Sequence, residues 1–104
     1  MENNQVPKCP EWLGSIGQQE WKRVTEKLHT AGVIESIDVV ALETYCRAYE
    51  TWRRAEEWID KNGFVVAAKN ENGEIKSVTT VPHVAIAKTA LNQVRQFLTN
   101  YGIS

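Results

Sequence analysis

Apolar positions recur along this chain at two periods, and the change from one to the other divides it into elements. Trp21, Val24, Leu28 and Ala31 follow one another in steps of three and four, the spacing of one face of an α-helix. Ser15 with Gln18 three residues on has the form of a capping box, and Gly32 is a stop signal. A first helix is therefore predicted over about residues 16–31. Ala41, Tyr45, Ala48, Trp52, Ala55 and Ile59 then repeat as one continuous seam. They predict a second helix over about 36–62, with Asp38 in its first turn at the positive end of the dipole and Gly63 as a left-handed terminator. Such a rod is about 38 Å long, which is long for a chain of 104 residues.

Beyond Gly63 the apolar residues become contiguous and β-branched. Runs over about 64–68 and 75–81 flank KNENGE, whose Asn72-Gly73 pair is a hairpin turn signal. A lone hairpin is marginal in water, so this one must lean on the helices or on a neighbouring chain. Pro82 introduces a last helix over about 83–101, ended by Gly102. Its seam is Val84, Ala87, Leu91, Val94, Leu98 and Tyr101. Residues 1–14, broken by Pro7, Pro10 and Gly14, read as an irregular arm whose Trp12 and Leu13 pin its end to the core. The expected fold class is mainly α: one domain over 15–104, with a β-hairpin between the second and third helices.

Charge sharpens the second helix. Within LETYCRAYETWRRAEEW the aromatics and arginines interleave, which suits either a nucleic-acid surface or a core stripe backed by a solvated face. At 100° per residue Tyr45 and Trp52 fall on the inward face, while Arg47 and Arg54 fall opposite, among Glu43, Glu50, Glu57 and Lys61. Glu43–Arg47, Glu50–Arg54 and Glu57–Lys61 are i,i+4 pairs of the favourable order, about 0.2–0.5 kcal/mol each on an exposed helix. The pattern favours aromatics inward and arginines neutralised outside, with Arg53 off the paired ridge and open to either reading. Twelve Lys and Arg against thirteen Asp and Glu give no global basic field, so any nucleic-acid contact must be local or repeated over many copies. Lys22, Arg23 and Lys27 share the polar side of the first helix, diluted by Glu26. Apolar surface exceeds one seam per helix: Ile86, Ala90 and Phe97 form a second stripe on the last helix, and Val40 and Trp58 lie off the main face of the second. Surplus of this kind marks an interface between copies.

Catalytic chemistry is not legible. Cys9 and Cys46 match no zinc or disulfide framework, His29 and His83 read as helix-end residues, and the glycines form no phosphate cradle. Glu56 stands near the apolar edge with no visible partner. No catalytic residue, metal site or cofactor is expected. With no signal core or membrane-length apolar run, a cytoplasmic location is expected.

The order Cys-Pro-x-Trp-Leu at Cys9–Leu13, then Trp21, Leu28 and Gly32, then DVVALETYCRAYETWRRAEEWIDKNG, resembles the small terminase subunits of tailed bacteriophages and prophages, from about Cys9 to Gly102. The resemblance implies a non-catalytic packaging factor in the bacterial host cytoplasm. It would form a homo-oligomer, a ring, bind double-stranded viral DNA at the packaging site and deliver it to the large terminase subunit, the ATPase and nuclease. Members often continue past the equivalent of Ile103 into a Pro- and Arg-containing tail, whereas this sequence stops at Ser104. Loss of such a tail would weaken DNA or large-subunit contact, or mark a prophage remnant. On this reading Lys22, Arg23, Lys27 and Arg53 are the expected DNA contacts, and Val40, Trp58, Ile86, Ala90 and Phe97 the expected oligomer interface. A helical protein–protein adaptor that never touches DNA is the alternative. A small transcriptional regulator fits less well, because no short recognition helix with a basic face follows a tight turn.

Overall fold

A computed structural model describes residues 6–103. The chain forms α1 (Ser15–Thr30), a single 3-10 turn (Ile34–Ser36), α2 (Val39–Asn62), an antiparallel hairpin of β1 (Val65–Lys69) and β2 (Ile75–Thr80), and α3 (Pro82–Tyr101). All three helices and the hairpin expected from the sequence are present, with ends moved by a few residues at most. The largest move is at the start of α2. Ile34 and Ile37 are both buried, and the 3-10 turn that inserts them into the core delays the helix until Val39. Asp38 is its N-cap, accepting from the backbone N–H of Val40 at 2.9 Å and of Ala41 at 3.2 Å. At the other end of α1, Ala31 lies outside the helix and is exposed, so that seam ends at Leu28.

α1 runs antiparallel along the first half of α2, which puts Gly17 beside Glu50 and Glu20 beside Tyr45. α3 returns antiparallel along the whole of α2. Phe97 stacks on Tyr45 with ring centroids 4.4 Å apart, and at the far end His83 stacks on Trp58 at 3.8 Å. The core occupies the three-helix end: Leu13, Trp21, Val24 and Leu28 meet Ile34, Ile37, Leu42, Tyr45, Cys46 and Ala48, with Val94 and Phe97 from α3. Leu28 and Leu42 are wholly removed from solvent. Among the arm's described residues, Leu13 is buried and the Pro7 carbonyl accepts the Trp21 indole N–H at 3.2 Å.

Past the end of α1 the packing thins. Ala55, Ala87 and Ala90 are the buried residues where α2 and α3 run alone. Trp52, expected inside, is half-buried and donates its indole N–H to Glu56 at 3.3 Å, which supplies that carboxylate with the partner the sequence left unidentified. The hairpin then projects beyond both helices, and every residue from Lys61 to Thr80 is exposed. Its register pairs Val65 with Thr80 and Ala67 with Val78, and a bulge between Ala68 and Lys69 sets Lys69 opposite Ile75. Gly73, at φ 82°, makes the turn. The molecule measures 70 × 25 × 18 Å, with a radius of gyration of 18.4 Å against about 13 Å for a compact chain of this length.

Candidate nucleic-acid interface

Two carboxylates placed by their type on the surface are internal, and they decide what the nearby arginines can do. Glu50 is 5% exposed. It accepts the backbone N–H of Gly14 and of Gly17, each at 3.1 Å, so it caps α1 from another helix. The expected capping box does not form: Gly14 is the N-cap, without a side-chain hydrogen bond, and Gln18 donates instead to the Leu13 carbonyl at 2.7 Å. Glycine lets this carboxylate approach closely, since a Cβ on Gly14 would push aside the Glu50 carboxylate and the Arg54 guanidinium.

The expected neutralised ridge on α2 is thereby altered. Arg54 does reach Glu50, at 3.5 Å, and Arg47 lies 3.9 Å from the same carboxylate. Two guanidinium groups thus share one carboxylate that already serves two amides. Arg47 also donates to the Trp12 carbonyl at 3.0 Å and lies 4.8 Å from the centroid of its indole ring. Both arginine side chains remain more than half exposed.

Glu20 is the second internal carboxylate. Arg23 grips it with two N–H groups, at 2.8 and 2.7 Å, and the Tyr45 hydroxyl donates to it. That hydrogen bond to Glu20 is the largest effect raising the Arg23 guanidinium above its ordinary range. Burial first, and then the bond to Glu20, raise the Tyr45 phenol well above its ordinary value. Burial, with the Glu20 charge second, pushes the Cys46 thiol up to about 12. Cys9, half-buried, is raised by burial as well. Neither thiol is poised as a nucleophile.

The basic residues singled out in the sequence are not brought into one cluster. Lys22 and Lys27 are exposed on α1, and Arg23 between them is committed to Glu20. Arg53 is exposed beyond the start of α1, on a different part of the rod, its guanidinium 6.0 Å from the Trp52 ring centroid. The five surplus apolar residues divide. Ala90 and Phe97 are buried within the chain's own packing. Val40 is 68% exposed, Ile86 45% and Trp58 36%, the last stacked on His83, whose Nδ1 is buried without a partner. Glu20 and Glu50 are what the sequence reading missed. Their signal was present: Glu20-Val24-Leu28 and Leu42-Cys46-Glu50 each set a carboxylate in step with an apolar row.

Among the described residues no group of His, Cys, Asp or Glu could hold a metal ion, and no helix is long and apolar enough to cross a membrane. No curated protein and no solved structure matches the chain. Residues 17–104 match the family model described as phage terminase, small subunit, which takes in all three helices, nearly the whole of α1 included, and the hairpin. The chain belongs to the phage terminase small-subunit family, whose work is packaging phage DNA.

Proposed function

We propose that this chain is a non-catalytic small terminase subunit that assembles with copies of itself into a ring, binds duplex viral DNA at the packaging site, and presents it to the large terminase in the host cytoplasm. The observation that carries the assembly is the hairpin. Phe64, Val65, Val66, Ile75 and Val78 are all more than half exposed, on both faces of two strands with unpaired outer edges. A two-stranded ribbon of this composition is marginal alone and its edges invite another strand. The outer edge of β1 in one copy would pair with the outer edge of β2 in the next. Such a head-to-tail contact closes into a ring when the rotation permits. Val40, Trp58 and Ile86 extend the interface along the helices.

The DNA contact rests on exposed basic groups, repeated around the ring so that weak contacts add. Lys22, Lys27 and Arg53 are the basic side chains proposed from the sequence. Arg23 contributes less, because its guanidinium is held by Glu20. Filter binding on packaging-site duplex tests the reading. Retention at low salt that falls steeply as salt rises is the expected result. Absence of retention at any salt would leave the protein adaptor in its place.

A further inference from the structure

The side of the rod where α2 meets α3, reaching the start of α1 at Gly14, carries a surface that the sequence pattern does not assign. Between Val40 and Trp58, the polar residues Thr44, Arg47, Thr51 and Arg54 line up on α2 in steps of three and four, a ridge about 15 Å long. Beside them lies α3, which contains no Asp or Glu at any of its 20 positions. Three depressions adjoin along this side. One, of about 520 Å³, lies between the helices, floored by Ala48, Ala85 and Ala90 and rimmed by Trp12, Arg47 and Gln93. The next, of about 350 Å³, continues past Thr44 to Gln96 and Asn100. The third, of about 310 Å³, lies where Arg47, Thr51 and Arg54 meet Trp12 and Gly14. The one carboxylate lining any of the three is Glu50, which is buried and engaged by two backbone amides. The depressions beside α1 differ, since both include Glu26.

We infer that this α2–α3 face is a contact surface for the phosphate backbone of duplex DNA, with Arg47 and Arg54 as its charged anchors. The inference rests on the packaging reading and places a phosphate site where the i,i+4 spacing implied neutralised arginines. Charge decides the occupant. A second copy laid face to face here would set Arg47 and Arg54 against the same two arginines with no accessible carboxylate between them, a like-charge juxtaposition that disfavours pairing. Beside the apolar Trp12, Ala85 and Ile86, a polyanion meets guanidinium, hydroxyl and carboxamide groups of the kinds that make most protein–phosphate hydrogen bonds. The Trp12 ring and carbonyl hold the Arg47 guanidinium in one orientation. Glu50 already accepts from two backbone amides, and its contacts to the two arginines are long, 3.9 and 3.5 Å, so a phosphodiester between them displaces only weak ion pairs.

Fluorescence anisotropy of the full chain on duplex DNA over a salt series tests this surface. The Arg47→Gln/Arg54→Gln variant should bind at least about 10-fold more weakly, with its log–log salt slope shallower by about 2 for each engaged protomer. Because Arg47 also fastens the arm, the near-isosteric Gln93→Glu variant serves as a second probe. It adds one charge at an exposed position and should weaken binding several-fold with an unchanged melting profile. Wild-type affinity in both variants would overturn the inference while leaving the packaging reading intact. So would wild-type DNA affinity accompanied by a changed native mass, which would assign the face to protein contact. Failure of the unaltered chain to bind duplex at low salt would remove the packaging reading itself, and this surface with it.

Discussion

The two ends of the rod are built on different terms. At the α1 end, three helices and the anchored residues of the arm enclose Leu28, Leu42, Val24 and Cys46 completely, and the buried carboxylates Glu20 and Glu50 each have several donors. At the far end, α2 and α3 touch through alanines and the Trp58–His83 stack, and every residue of the hairpin beyond them, from Lys61 to Thr80, is exposed. The first end is a self-sufficient core. The second has the apolar composition of a core and none of the cover, and apolar surface without cover is the mark of an interface. The contrast separates the part that holds the fold from the part whose apolar residues remain uncovered.

The contrast breaks most visibly at Leu28. Leu28→Ala should cost about 2–5 kcal/mol, a large part of the stability of a domain this size, and should abolish or severely lower the melting transition. Glu50→Ala comes next, at about 2–3 kcal/mol, because it strands the Gly14 and Gly17 amides and the start of α1 together. Glu50→Gln should cost less, since one carbonyl acceptor remains. Melting followed by circular dichroism measures both.

Alkali should loosen the same end. Burial raises the Cys46 thiol from an ordinary 9.0 to about 12, and Tyr45 is raised too, so the unfolded chain loses these protons at lower pH than the folded one. The stabilisation is therefore complete below pH 9 and falls as pH climbs from there toward 12, by about 1.4 kcal/mol per pH unit for the thiol. Denaturant titrations at pH 8, 9 and 10 should show the decline, and Cys46→Ala should remove its part of the slope. The smallest effect on the chain's own stability is expected at the hairpin. Ile75→Lys should change intrinsic stability by no more than about 0.5 kcal/mol. Its consequence is for assembly: wild-type melting should rise with protein concentration, and the variant's should not.

What the sequence made legible follows the same division. Helices and hairpin were readable because their apolar residues keep a strict period and because Asn72-Gly73, Pro82, Gly63 and Gly102 punctuate it. Tyr45 and Ala48 proved to be core for that reason. For Glu20 and Glu50 the sequence offered only their place in step with an apolar row; their burial depends on donors from 25 to 36 residues away or from an adjacent turn, which no local pattern shows. Nor could periodicity show that Ala90 and Phe97 close the core between α2 and α3 while Val40 and Ile86 stay outside. That depends on how far the helices roll against each other, which the pattern leaves open by about a quarter-turn. Arg47 and Arg54 illustrate the consequence. Spacing paired them with solvent-facing glutamates, and the fold took Glu50 inward.

The native mass of the purified chain at micromolar concentration bears most directly on the incomplete end of the rod. A closed assembly of several protomers is the expected result, dissociating when Ile75 is replaced by Lys. A wild-type chain that remains monomeric, with its hairpin amides nonetheless protected from hydrogen exchange, would show that the ribbon needs no partner and that its apolar faces are not an interface.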